Sequence, residues 1–128
     1  MTLDSSALIS ILVSEAGALD LVDQILEAEV VRVSTPTLVE TAVVLSSRRG
    51  KPSHQEVQRL IDELGVTVVP FGADEWQAAA SAYDRFGRGR HAAGLNFGDC
   101  LAYAAAATAG DSLLFVGNDF TKTDIRRA

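Results

Sequence analysis

Short apolar segments alternate with longer segments of helical periodicity along the whole chain, and this alternation is what most constrains the fold. We predict strands at residues 1–3, 30–34, 66–70 and 113–116, with amphipathic helices between them. One helical stripe consists of Leu19, Val22, Ile25 and Leu26. Strands joined through helices form parallel βαβ units, whose sheet is covered on both faces. The sequence therefore predicts an α/β fold in which helices flank a short parallel sheet.

Length and composition limit the classes of protein to consider. The chain of 128 residues has the size of a single domain, spanning residues 1–128, and 48% of its residues are apolar. This composition excludes a disordered chain or a disulfide scaffold. No apolar run approaches the ~20 residues that span a bilayer, and no signal peptide is expected. Cys100 is the only cysteine, so we expect a cytoplasmic protein without a membrane partner.

Four acidic residues fall where the predicted elements reach one edge of the sheet. Asp4 follows the first strand and Asp119 follows the last one, while Asp99 and Glu40 lie in the first turns of helices. Sites in open α/β sheets form at this carboxyl edge. A purely structural role is the alternative for three of them. Asp4 is suited to cap a helix and Asp119 to a turn, and Asp99 is suited to a capping box with Asn96.

Glu40 is harder to explain as a structural residue. Its neighbours on the predicted helix are apolar, and the chain supplies no basic residue near it before Arg48. A carboxylate in such surroundings is expected to be partly buried, which is costly unless a partner compensates the charge. Something other than a neighbouring side chain must therefore provide that compensation.

A divalent cation would relieve the repulsion between carboxylates that converge in one place. Mg²⁺ and Mn²⁺ prefer oxygen ligands, and their charge activates water and stabilises the transition state of phosphodiester hydrolysis. The candidate acids are not accompanied by histidine or cysteine ligands, which argues against a zinc site. The acids thus favour magnesium or manganese.

Three groups of residues resemble the PIN-domain toxins called VapC. They are MTLDSSAL at 1–8 with TLVE at 37–40, GRGRHAAGLNFGDCLAY at 87–103, and LLFVGNDF at 113–120 with TDI at 123–125. The likeness covers essentially the whole chain, and the central stretch is the most characteristic. It implies a PIN-like three-layer fold with four or five parallel strands.

The resemblance also implies a Mg²⁺-dependent endoribonuclease, with Mn²⁺ as a substitute, that is the toxin of a type II toxin–antitoxin pair. Its catalytic quartet would be the acids at the sheet edge: Asp4, Glu40, Asp99 and Asp119. Asp4 and Asp99 would be the most direct metal ligands. Glu40 would orient a water on the metal or act as its base. Asp119 would complete the metal ligands, with Asp124 as the alternative fourth acid.

Two polar residues would support this quartet. Ser6 would be available to a water or a phosphate, and Asn96 would hold the helix turn that carries Asp99. Asn118 stands where many relatives have a further aspartate, which leaves the fourth acid open.

Partners are implied in the same way. The family usually forms a homodimer and pairs with a VapB-type antitoxin, and it cuts RNA, with tRNA or rRNA as the expected substrate. The residues agree with RNA, because a basic group precedes Asp99 despite the net charge of −6: Arg85, Arg88, Arg90 and His91. Arginine contacts phosphates and stacks on unpaired bases. A solvated loop is the alternative reading of this segment.

Two other functions are alternatives. One is a PIN-fold binding protein without catalysis, although the complete quartet argues against it. The other is a phospho-accepting receiver domain, which has a similar size and acidity. That class needs an acceptor aspartate in mid-chain, and the predicted strand at 66–70 is instead followed by Phe71 and Gly72.

Overall fold

The computed structural model describes all 128 residues, which form four short strands and six helices. The strands are β1 (Thr2–Leu3), β2 (Arg32–Ser34), β3 (Thr67–Val69) and β4 (Leu113–Leu114). The helices are α1 (Ser5–Leu12), α2 (Ala18–Glu27), α3 (Thr35–Arg49), α4 (His54–Glu63), α5 (Ala73–Phe86) and α6 (Phe97–Ala109).

All strand pairs are parallel, and the sheet has the order β3-β2-β1-β4. β1 is therefore a central strand, with Thr2 in register with Arg32 of β2 on one side and Leu113 of β4 on the other. Beyond β4, a single parallel bridge joins Leu113 to Arg127. The predicted α/β class and parallel sheet are confirmed, with four strands.

Two hydrophobic clusters, one containing Leu114 and the other Leu113, make up the core. The first is built mainly from α1 to α4, and the second from α5 and α6. Consecutive residues of a strand point to opposite faces of a sheet, so neighbouring residues of β4 enter different clusters. Helices thus cover both faces, as the three-layer arrangement requires.

The prediction of an apolar stripe on α2 is wrong in part. Ile25 is 2% exposed, but Leu19 is 79% and Leu26 63% exposed. α2 packs mainly against α1, so only one narrow side of it is covered. The strands are also shorter than predicted, since β4 ends at Leu114 and Val116 is already exposed.

The order of the strands determines where a site can form. The connections from β1 lead to β2 on one side, whereas β4 lies on the other, so β1 and β4 flank a point at which the strand order reverses. In open parallel sheets the crevice at the carboxyl end of such strands is the usual place for a ligand. Asp4 lies directly after β1 at this crevice.

None of the six helices has both the length and the apolar character that a transmembrane segment needs.

The core on the α1–α4 side generates a stability prediction. Leu45 of α3 is fully buried, whereas Val43, two residues earlier, is 63% exposed. We expect Leu45→Ala to lower the free energy of unfolding by about 2–5 kcal/mol, because it leaves a cavity. Val43→Ala is the matched control, with an expected change below about 0.5 kcal/mol. Urea denaturation measures both, and equal losses would contradict this description of the core.

Candidate active site

Asp4 lies at the end of β1 and caps α1, and it is only 4% exposed. Its Oδ2 accepts hydrogen bonds from the Ser6 backbone N–H at 3.0 Å and from the Ser6 hydroxyl at 2.5 Å. Both bonds end on Oδ2, so Ser6 does not engage Oδ1. Burial raises the pKa of Asp4, the bonds from Ser6 partly oppose this, and the negative charge of Asp119 adds to it. The predicted cap is therefore real, and the same side chain is a buried carboxyl group.

The side chain of Ser6 makes two hydrogen bonds within the protein. Its hydroxyl donates to Asp4 and accepts a hydrogen bond from the Val116 backbone N–H at 3.0 Å. The hydroxyl has one proton, and that proton is used within the protein. The structure thus does not leave Ser6 free to donate to a phosphate. The Ser6 hydroxyl links the backbone of Val116, after β4, to the carboxyl group of Asp4, after β1.

Asp99 lies in the first turn of α6 and forms the predicted capping box with Asn96. Its Oδ2 accepts from the Asn96 backbone N–H at 2.8 Å, and its own N–H donates to Asn96 Oδ1 at 2.9 Å. Burial raises the pKa of Asp99, and the charges of Asp4 and Asp119 raise it further, whereas the Asn96 bond and Arg88 lower it. As in Asp4, one carboxylate oxygen serves the helix cap.

Glu40 lies in α3 and is partly buried, as predicted. Burial raises the pKa of its carboxyl group most, and the negative charges of Asp4 and Asp99 add to this effect. The carboxylate lies against the backbone of Gly98, in the first turn of α6. α3 and α6 thus bring Glu40 and Asp99 to the same place.

Asp119 and Asp124, the two candidates for the fourth acid, occupy different surroundings. Asp119 is exposed, and its charge acts on Asp4 and Asp99. Asp124 instead accepts hydrogen bonds from Tyr103 Oη at 2.6 Å and from Arg85 at 2.7 Å. These bonds lower the pKa of Asp124. The charge of Asp119 thus reaches two other candidate acids, whereas Asp124 is engaged by Tyr103 and Arg85.

The four acids of the quartet offer hard oxygen donors, and their negative charges repel one another. The charge of Asp119 raises the pKa of Asp4 and of Asp99. The charges of Asp4 and Asp99 in turn raise the pKa of Glu40. No three acidic, histidine or cysteine side chains are close enough to form a ready-made metal cage. The donor chemistry fits Mg²⁺ or Mn²⁺, which take oxygen ligands and retain several waters.

The predicted basic group divides into one residue near the quartet and others with partners of their own. Arg88 is exposed, and its positive charge acts on Asp99. Arg85 is ion-paired with Asp124. The remaining two make local contacts: Arg90 lies 3.5 Å from Asp84, and His91 Nδ1 accepts from the Ala93 N–H.

Cys100, next to Asp99 in the chain, is 3% exposed. Burial raises the pKa of its thiol to about 11, and the Asp99 charge adds to this. Because the thiolate is the nucleophilic form, this thiol is inert near neutral pH. It is a small buried residue, as predicted.

Sequence reasoning missed the contact between Gly98 and Glu40. A Cβ atom at Gly98 would lie 2.6 Å from Glu40 Oε2 and 2.7 Å from Cδ. The available signal was a glycine inside the first turn of a helix, where other residues form helix more readily.

Known proteins with similar sequences cover nearly the whole chain. The family model described as the PIN domain matches residues 1–126. A ribonuclease VapC of Mycolicibacterium smegmatis is 42% identical, covering 98% of this chain and 97% of the relative. Ribonuclease VapC30 of Mycobacterium tuberculosis is 41% identical, covering 98% of this chain and 95% of the relative.

A solved structure has the same fold. The crystal structure of Mycobacterium tuberculosis VapC20, described as a sarcin-ricin loop cleaving toxin, aligns with a TM-score of 0.77. The alignment covers 99% of this chain and 97% of that one, at 18% sequence identity. At this identity the likeness concerns the fold, and it confirms the predicted PIN-like architecture.

Burial of Glu40 predicts a pH-dependent gain in stability for Glu40→Gln in metal-free protein. The folded-state pKa of Glu40 lies above its ordinary value of 4.5, so the native protein loses stability as the pH rises through the folded pKa. An amide does not ionise and escapes this loss. We expect the variant to be more stable than the native chain at pH 7 and equally stable below about pH 4.

Urea denaturation in EDTA across this pH range measures the difference. Glu63→Gln, at the exposed end of α4, is the control and should change little at any pH. A gain at Glu40 that is independent of pH would contradict a buried, charge-repelled carboxylate.

Proposed function

This chain belongs to the PIN-domain family and, within it, to the VapC ribonuclease toxins, and from this premise we propose that it hydrolyses RNA phosphodiester bonds at its acidic quartet with Mg²⁺. Mn²⁺ would substitute for Mg²⁺. The observation that carries the proposal is the burial of Asp4 among other acids. A carboxyl group that is 4% exposed and is approached by further negative charge is what a cation site requires.

The proposed role of each acid follows from its position. Asp4 and Asp99 would hold the metal most directly. Each uses Oδ2 for its own helix cap, which leaves Oδ1 for the cation. Asp119 would complete the ligands from the exposed side. When bound, the metal supplies charge that stabilises the transition state and lowers the pKa of water.

Glu40 would position the attacking water and accept its proton. Burial and the charges of Asp4 and Asp99 raise the pKa of Glu40, which makes it a better proton acceptor than an exposed glutamate. Ser6 would act indirectly, because its hydrogen bonds hold Asp4 and the Val116 backbone together.

The RNA contact we propose centres on Arg88. It is exposed, and its charge reaches Asp99, so a phosphate bound there would lie beside the quartet. Arg85, Arg90 and His91, which have partners of their own, would lie around this contact rather than make the first phosphate contact. The substrate we propose is tRNA or rRNA, whose unpaired loops offer both phosphates and exposed bases.

Protein partners are proposed as a VapB-type antitoxin and a second copy of the chain in a homodimer. Surface suited to such contacts exists between α5 and α6, where a groove of about 600 Å³ is lined mostly by apolar residues. Trp76 and Phe97 in this groove are 58% and 80% exposed. Exposed aromatic residues of this kind are typical of protein interfaces.

The two alternative functions, a receiver domain and a PIN fold without catalysis, lack such structural support. A receiver domain needs an acceptor aspartate in mid-chain, and β3, the strand found there, is followed by Pro70 and Phe71. A PIN fold that only binds a partner would use Asp4 as a helix cap but would not need the further negative charge of Asp119 near it. The cleavage assay below distinguishes it from an enzyme.

We expect Asp99→Asn to abolish RNA cleavage without loss of the fold. The amide retains an oxygen that can accept the Asn96 hydrogen bond, so α6 should keep its cap, while the negative charge needed by the metal is lost. Asp4→Asn should behave in the same way. The measurement is cleavage of total RNA in Mg²⁺ with mapping of the cut sites, together with far-ultraviolet circular dichroism.

Native protein in EDTA and the variant Asp62→Asn, on the exposed side of α4, are the controls. EDTA should stop cleavage, and Asp62→Asn should cleave normally. Undiminished cleavage by purified Asp99→Asn protein would refute the assignment of the quartet.

Arg88→Ala should weaken RNA binding more at low salt than at high salt. A contact between arginine and phosphate is screened as the ionic strength rises, so its loss matters less there. Filter binding to an RNA stem–loop with Asp99→Asn protein, which should not cut it, measures this at several salt concentrations. Arg59→Ala on α4 is the matched control and should bind like its parent. A loss at Arg88 that is the same at all salt concentrations would speak against a phosphate contact.

A further inference from the structure

The first turn of α6 contains Gly98, a residue to which the proposed mechanism assigns no role. Gly98 lies between Phe97, which is 80% exposed, and Asp99. Its backbone is in an ordinary helical conformation, so the need for glycine is not conformational. Glycine inside a helix lowers helix propensity compared with alanine. Some other constraint must account for its presence.

That constraint is the carboxylate of Glu40. A Cβ atom at Gly98 would lie 2.6 Å from Glu40 Oε2, 2.7 Å from Cδ and still closer to Oε1. Nonbonded carbon and oxygen atoms need roughly 3.5 Å. The three nearest atoms all belong to the end of the flexible Glu40 side chain rather than to the backbone. A larger residue would therefore displace the carboxylate and leave the helix in place.

We infer that Gly98 is a positioning residue: its missing side chain lets α6 and α3 approach so closely that the Glu40 carboxylate is held beside Asp99. This inference rests on the proposed function of the quartet and adds a residue to it. Glu40 is the only member of the quartet that comes from α3. Its place relative to Asp99 thus depends on how closely the two helices can approach at this point.

The experiment that tests this inference is the substitution Gly98→Ala. The carboxylate of Glu40 must retreat by roughly 1 Å to reach normal contact distance. A displacement of that size in a catalytic group costs about 10²-fold in rate. We expect single-turnover RNA cleavage to fall by about that factor, while the melting temperature stays the same or rises. RNA binding, measured by filter binding in EDTA, should change less than about twofold, since neither Arg88 nor the fold is altered.

Gly72→Ala is the matched control. Gly72 also stands at the start of a helix, α5, and a Cβ atom there would lie 3.5 Å from the nearest Glu75 oxygen, an ordinary contact. This variant should cleave RNA at the native rate. A crystal structure of Gly98→Ala should show the Glu40 carboxylate moved away from α6.

A second variant tests whether Gly98 acts through Glu40. Glu40→Asp shortens the side chain by one methylene and makes room for the added Cβ atom. In that background Gly98→Ala should cost less than about threefold in rate, because the clash has gone. An equal loss in both backgrounds, weakened RNA binding, or an unmoved Glu40 carboxylate would overturn the inference.

Failure of the inference and failure of the proposed function are distinguishable. If Asp99→Asn still cleaves RNA, the quartet is not the active site. If Asp99→Asn is inactive but Gly98→Ala cleaves at the native rate, the quartet stands and only the role of Gly98 is refuted.

Discussion

The burial of one carboxyl group at the end of the central strand is the constraint on which the rest of the site depends. Asp4 is 4% exposed, and Ser6 supplies the hydrogen bonds that make this burial tolerable. The charge of Asp119 does the reverse, because it raises the cost of ionising Asp4. Repulsion between the ionised acids therefore opposes folding, while the helix caps favour it, and under the proposed function a bound cation would relieve the repulsion.

Structural roles and the proposed catalytic roles coincide in the same side chains. Asp4 caps α1 and Asp99 caps α6, each through Oδ2. A cap fixes the side chain relative to its helix, so the acids are held in place before any ligand arrives. This is the pre-organisation that electrostatic catalysis needs, since charges that are already oriented need not reorganise during the reaction. The helix caps and the proposed metal ligands are therefore compatible interpretations of these residues.

Much of the fold and the quartet could be predicted from local patterns. The α/β class followed from the alternation of strands and helices, and the capping box of Asn96 and Asp99 followed from their spacing. Other features depend on contacts with distant parts of the chain, which local patterns do not record. Ser6 is occupied by Val116, and Asp124 is occupied by Tyr103 and Arg85. Leu19 and Leu26 have helical periodicity but no neighbouring element to cover them.

The sequence by itself determined the order of strands and helices, the helix caps, and the presence of acids after β1 and β4, since these depend on residues that are near one another in the chain. Only the tertiary structure decided that Asp124 pairs with Tyr103 and Arg85, that Asp119 stays exposed, and that Glu40 lies against Gly98. The last of these depends on how closely α3 and α6 approach. That distance is set by packing between helices that lie far apart in the chain, and no local pattern records it.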